Sequence, residues 1–279
     1  MAKIALITGG NGITGSAILE HLTKNTTVDE WSRILHTSCS PLRITVRDPR
    51  VEFIALDFSK DPRVLAQEMN PVLFENFLQA LLAVAGGRLQ NCTLQPGGKY
   101  YNVSPAADEN FYYHQEDFLV EKEHTSGLSW TWNVICPEAI IGCTANPNGM
   151  NEALTLALYF MTCKELGYEA KMPTNWNYWN GVEDISDAHL IADLTVWAST
   201  HPHCANEAFN VTNGDYFSWR YMWPRLAAWF GATASSDQSF LQKAPTVGEP
   251  HLKVNLEDWA RGKREVWGSL CEEAGVPQA

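Results

Sequence analysis

The chain opens with a run of β-branched and apolar residues, Ile4 to Ile7, that passes without a break into Thr8-Gly9-Gly10-Asn11-Gly12-Ile13-Thr14-Gly15 and then into a helical pattern through Leu22. A short apolar run, a cluster of glycines and a 3.6-residue periodicity predict strand, tight turn and helix in that order. Two further apolar runs, Arg33 to Ser38 and "VEFIALDFS", predict the next strands. After Met69 the chain goes directly into the helical stretch "PVLFENFLQALLAVAGG". Farther on, "NEALTLALYFMTCKELG" reads as a helix with apolar residues at 154, 157, 158, 161 and 166 and is expected to wall a pocket. The stretch "SDAHLIAD" reads as an N-capped helix with Asp187 as a first-turn acid, and "EAFNVT" as a late strand.

Strands alternating with helices from the first residues onward predict an α/β protein. The expected architecture is a Rossmann-type doubly wound parallel sheet with helices on both faces and a smaller C-terminal lobe. Residues 1–142 are expected to form the nucleotide domain and 143–279 a mainly helical substrate lobe, with segments around 181–198 and 207–213 packing back on the sheet. In the opening turn Gly9 permits the tight bend, Gly12 lets backbone N–H groups approach a pyrophosphate, and Gly15 lets the helix pack close to the strand. Thr8, Asn11 and Ile13 complete that cradle. The end of the second strand selects between the two nicotinamide cofactors, an acid favouring NAD and an arginine NADP. Here Ser38 and Cys39 stand at that point, with Arg43 and Arg47 following, so the residues leave NADP and NAD both open. Asp57 and Phe58, at the end of the third run, are placed to flank adenine or equally to close an ordinary strand end.

Composition narrows the partners. Thirty-two acids against twenty bases give a net charge of -12, which argues against nucleic acid and against an anionic membrane surface. Small molecules are the expected ligands, and a homodimer is left open. Seven cysteines, an odd number without metal-binding spacing, read as reduced thiols of a cytosolic protein. No metal site is expected: His189 and Asp193 read as a surface i,i+4 contact, and "HPHC" at 201–204 as a solvated loop. The N-terminal run lacks a cleavage site for export, and no apolar stretch is long enough to span a bilayer.

The segment "LQPGGKYYNV" followed by "NFYYHQED" places Lys99 ahead of the pair Tyr112 and Tyr113. On the residues alone, that pair serves equally well as helix-start aromatics packed under Trp130 or Trp132. Together with the TGxxGxxG opening, "WTWNVICPEAIIG", "NEAFNVTNGDYFSW" and "WPRLAAWFG", these motifs resemble the progesterone 5β-reductase and iridoid synthase-like branch of the extended short-chain dehydrogenase/reductases, its fungal members above all. The resemblance runs in blocks from about Ile4 to about Gly268. It implies an NAD(P)-dependent oxidoreductase that holds NADPH and delivers hydride to an activated carbon–carbon double bond in a hydrophobic enone. It also implies Tyr112 and Lys99 as the catalytic pair, with Pro137, Glu138, Ala139 and Ile140 beside the nicotinamide. Other outcomes on the same scaffold are a redox-neutral cyclase or isomerase and a catalytically silent nucleotide binder.

This sequence departs from the family at particular places. The direct passage from Met69 into the next helix omits a strand and a loop, which predicts a gap in the centre of the sheet. The connection between Tyr101 and Asn110 is short, Pro96 stands where a threonine is usual, and Cys39 where an arginine is usual.

Overall fold

The computed structural model describes residues 2–38, 47–55, 70–101, 110–145, 151–235 and 254–275. The chain divides into two compact units, one made of Met1–Asn151 with Ile185–Asn213 and the other of Glu152–Asp184 with Gly214–Ala279.

The first unit is a Rossmann-type α/β body. Strand β1 (Lys3–Ile7) leads through the glycine turn to helix α1 (Ile13–Asn25), and β2 (Trp31–Ser38) and β3 (Val51–Ala55) follow. These three strands pair in parallel in the order β1-β2-β3, with Ile7 opposite His36 and Ser38 opposite Ala55. Helix α2 (Asn70–Ala85), strand β4 (Asn91–Leu94), helix α3 (Phe111–Thr125) and strand β5 (Thr131–Pro137) come next. The unit ends with helix α4 (Ala188–Thr200) and strand β6 (Glu207–Val211). These later strands form a second parallel sheet in the order β4-β5-β6.

Among the described residues β1 and β4 each pair on one side only, and the parallel strands stand as two groups of three. This is the gap expected from the missing strand. Burial along β1 alternates. Ile7 is buried with Leu19 and Leu22 of α1 and Ile34 of β2, whereas Ile4 and Leu6, on the other face, are 55% and 38% exposed. Parallel sheets normally bury both faces. The second group conforms: Leu78 of α2 and Leu119 of α3 pack on Cys92, Leu94, Val134 and Cys136 from one side, and Ile191 and Ala198 of α4 pack on Ile135 and Val211 from the other. Small residues bring α1 and α4 together through Ile13, Ala17, Ala188 and Ala192.

Arg50, just ahead of β3, ties the first group to the end of α1. Its guanidinium is 8% exposed, bonds Asp48 at 2.7 Å, and donates to the carbonyls of Leu22 and Thr23 at 3.1 Å each. Those carbonyls lie in the last turn of α1, where helix geometry leaves acceptors without partners.

Two local expectations need correction. Asp187 is the N-cap of α4, its carboxylate accepting from the N–H groups of His189 and Leu190, so it stands before the first turn. His189 does not turn to Asp193: it faces Asp187 at 3.4 Å and Glu20 of α1 at 3.6 Å, while Asp193 faces His21 at 3.9 Å. The first of these acids is the helix's own N-cap, and the second comes from the packing of α4 on α1. The second unit contains the helix Glu152–Leu166. Its buried residues are Tyr159, Phe160, Thr162 and Cys163, and the positions 154, 157, 158, 161 and 166 are only half-buried. This helix is apolar almost all round, so periodicity could not choose its face. Trp179, Trp219 and Trp223 complete the core there, while Trp176 and Tyr178 are exposed.

Candidate cofactor and catalytic site

The glycine turn is built so that side chains are excluded from it. Gly9 has φ +68°, a conformation that only glycine adopts without strain. A Cβ on Gly15 would stand 2.3 Å from the Gly9 carbonyl oxygen, and one on Gly10 would stand 2.1 Å from Nδ1 of His36. Gly12 is the N-cap of α1, and no side chain caps that helix end. Among the described residues the first-turn N–H groups therefore take no side-chain cap, as an anion site at a helix N-terminus requires. No acid stands in the first turn to oppose an anion. These residues fit a dinucleotide's pyrophosphate.

Gly12 is the substitution to test, because it stands at the N-cap facing the ligand and a Cβ there would stand 3.1 Å from the Gly9 carbonyl oxygen, a milder crowding than at Gly10 or Gly15. The Gly12→Ala variant should bind the dinucleotide about tenfold more weakly, about 1.4 kcal/mol, by titration calorimetry. Unchanged affinity would remove the turn from the binding site.

Thr8, Asn11 and Ile13 lie in this turn and the start of α1, with Ile13 buried. Ser38 ends β2 and is buried; Cys39, Asp57 and Phe58 lie outside the described residues. His36, two residues earlier on β2, was not singled out by any motif. It is fully buried under the turn, its ring 5.2 Å from that of Phe53, and neither ring nitrogen has a hydrogen-bond partner among the described residues. Burial lowers its pKa, so the ring is neutral and fills space.

Beyond β4 the chain turns through Gln95, Pro96 and Gly97 into a single 3-10 turn, Gly98–Tyr101, which carries Lys99. The side chain of Lys99 lies outside the described part. Helix α3 begins opposite, capped by Asn110, whose side chain accepts from the N–H of Tyr112 at 3.2 Å. The two tyrosines diverge, as neighbours on a helix must. Tyr113 donates its hydroxyl to the carbonyl of Tyr100 at 2.7 Å and sets its ring edge-on to that of Tyr100. Tyr100 in turn donates to Glu116. Tyr112 points elsewhere: its hydroxyl lies 3.4 Å from where a Cβ on Gly97 would stand. Burial raises the Tyr112 pKa, so the phenol keeps its proton at neutral pH.

The end of β5 closes the same region. Pro137 is the last residue of that strand and Ala139 and Ile140 follow it. The N–H of Glu138 donates to the buried hydroxyl of Ser186 at 2.8 Å, and that hydroxyl donates to the carbonyl of Val211 at 2.7 Å. This joins the β5 and β6 ends. The Glu138 carboxylate lies 2.9 Å from where a Cβ on Gly98 would stand, against the turn that carries Lys99. Ser186 and His36 carried no spacing signal, because each acts through tertiary packing. Among the described residues no group of three or more His, Cys, Asp or Glu side chains could hold a metal ion, and no helix is long and apolar enough to cross a membrane.

Comparison with known proteins places this arrangement. A short chain dehydrogenase of Penicillium aethiopicum, gsfE, is 49% identical across 100% of this chain and 84% of its own length. The alignment spans 321 positions, more than the 279 residues here, so within the match that relative has residues this chain lacks. The 3-oxo-Delta(4,5)-steroid 5-beta-reductase of Arabidopsis thaliana is 29% identical across 97% of this chain and 77% of its own. Among solved structures, WbmH of Bordetella bronchiseptica in complex with NAD+ superposes with a TM-score of 0.60 at 15% identity, covering 92% of this chain and 91% of that one. The last likeness is one of fold. Residues 96–276 match the PRISE-like Rossmann-fold domain. With that match over most of the chain and a relative at 49% identity across the whole of it, the chain belongs to the PRISE-like Rossmann-fold family of short-chain dehydrogenase/reductase enzymes.

Proposed function

We propose that this enzyme uses a nicotinamide dinucleotide, NADPH before NADH, to reduce a carbon–carbon double bond conjugated to a carbonyl in a hydrophobic small molecule. The observation that carries this reading is the divergence of the two tyrosines. Tyr113 uses its hydroxyl on the Tyr100 carbonyl, and Tyr112 keeps a protonated phenol free of that bond beside the turn that carries Lys99. Hydride addition to the β-carbon of an enone drives negative charge onto the carbonyl oxygen. A phenol at that oxygen forms a hydrogen bond that strengthens as the charge grows, which is differential stabilisation of the transition state.

When bound, the dinucleotide supplies the hydride. The protein's part is to seat the pyrophosphate on the α1 N-terminus, bring Tyr112 to the substrate carbonyl, and hold Lys99 on its short turn within reach of the ribose. Pro137, Ala139 and Ile140, at the β5 end, are assigned to the nicotinamide side. Thr8, Asn11 and Ile13 are assigned to the cradle, and Ser38 and Cys39 to the adenosine ribose. Asp57 and Phe58 are assigned to the adenine. The steroid reductase among the relatives acts, by its name, on a 3-oxo compound with an adjacent double bond, and that chemistry supports the reading.

The test is incubation of the purified protein with a small activated enone and each cofactor. Dinucleotide oxidation with a product heavier by two hydrogens is expected, with NADPH preferred. A product of unchanged mass points to an isomerase, and no turnover to a silent binder. A preference for NADH above about tenfold would show that the arginines after Cys39 do not reach the 2′ position.

A further inference from the structure

Thr14 and Gln95 are 81 residues apart, and the Gln95 amide donates from Nε2 to Thr14 Oγ1 at 2.9 Å. Thr14 is a buried residue of the first turn of α1. Gln95 directly follows β4 and stands two residues before Gly97, against which the Tyr112 hydroxyl rests. The strands that deliver these two residues, β1 and β4, do not pair with each other. No backbone ladder therefore sets the glycine turn against the turn carrying Lys99, and a side-chain bond spans the place where one would.

The direction of the bond matters. Because Gln95 donates, Thr14 Oγ1 acts as acceptor and its own proton is left to donate in turn. That proton belongs to a residue of the uncapped helix end, where the N–H groups already favour an anion. A hydroxyl that accepts one hydrogen bond donates a stronger one, so the two contacts reinforce each other.

We propose that Gln95 is a positioning residue: through Thr14 it couples occupation of the pyrophosphate seat to the placement of the Gln95–Tyr101 segment. This rests on the dinucleotide reading of the glycine turn. Ligand at the α1 N-terminus orients the Thr14 hydroxyl, Thr14 holds the Gln95 amide, and Gln95 holds the start of the segment that presents Lys99 and Gly97.

Amide hydrogen exchange with and without saturating NADPH tests it, with no substrate required. In the wild-type chain the cofactor should slow exchange both in the glycine turn and in the Gln95–Tyr101 segment, the latter by roughly fivefold or more. Thr14→Val and Gln95→Leu should each keep the protection of the glycine turn and lose that of the distant segment. Thr14→Ser, which keeps the hydroxyl, should restore it, and this variant guards against a loss caused by poor folding of Thr14→Val. Protection of Gln95–Tyr101 that persists in Gln95→Leu and Thr14→Val overturns the coupling while leaving the cofactor site standing. Absence of protection at the glycine turn in the wild-type chain overturns the dinucleotide reading and the coupling with it.

Discussion

Tyr112→Phe should lower the rate constant for enone reduction by roughly 10²- to 10³-fold, the scale of losing one donor to a developing oxyanion. The substitution keeps the ring, which lies 4.1 Å from that of Phe111, and removes only the hydroxyl. Its melting temperature should therefore stay near that of the wild-type chain. Tyr113→Phe should behave in the opposite way. It removes the bond to the Tyr100 carbonyl, about 1 kcal/mol of stability, and leaves turnover near normal. Steady-state kinetics at saturating NADPH with a thermal melt of each variant separates the two. Full activity in Tyr112→Phe, or equal kinetic losses in both variants with lowered melting temperatures, would return the pair to packing and take away the observation on which the reductase reading stands.

Arg50→Met should destabilise the first unit by about 3 kcal/mol, the range for removing one partner of a buried ion pair. Methionine replaces the apolar stem but takes the guanidinium away from the Asp48 carboxylate, whose side chain is 12% exposed and which keeps only the backbone N–H of residue 50, and from the Leu22 and Thr23 carbonyls, of which Leu22 keeps the Thr26 hydroxyl. Arg50→Lys should recover only part of the loss, since one ammonium cannot match a fork that serves a carboxylate and two carbonyls. Acid sensitivity gives a second readout. Hydrogen bonding from Arg50 holds the Asp48 carboxyl below its ordinary pKa. A carboxyl depressed on folding contributes stability that is fully present above its unfolded pKa, about 4, and is lost as pH falls through the folded value. Urea midpoints measured from pH 7 downward should show that loss in the wild-type chain and a weaker one in Arg50→Met. Equal midpoints at neutral pH would show that solvent satisfies the α1 carbonyls just as well.

The opening strand, glycine turn and helix were legible because they are local: a β-branched run, residues that tolerate a left-handed turn, and a helical period lie within the first two dozen residues and need no distant partner. The separation of Tyr112 from Tyr113 was legible for the same reason, since helix geometry alone sends neighbours to different faces. Even the break between β1 and β4 could be read from the direct passage out of Met69, because a parallel sheet cannot lose a central strand without leaving edges. The tertiary structure alone decided what crosses long separations. Arg50 meets carbonyls 27 and 28 residues away, Ser186 meets the β5 and β6 ends, and Gln95 reaches Thr14 across 81 residues. The face of the helix Glu152–Leu166 was likewise settled by its neighbours, Trp223 above all, because a helix apolar all round carries no period to announce which side is buried. Local periodicity records what a residue does within its own element; a hydrogen bond between elements exists only once packing has set their distance and angle.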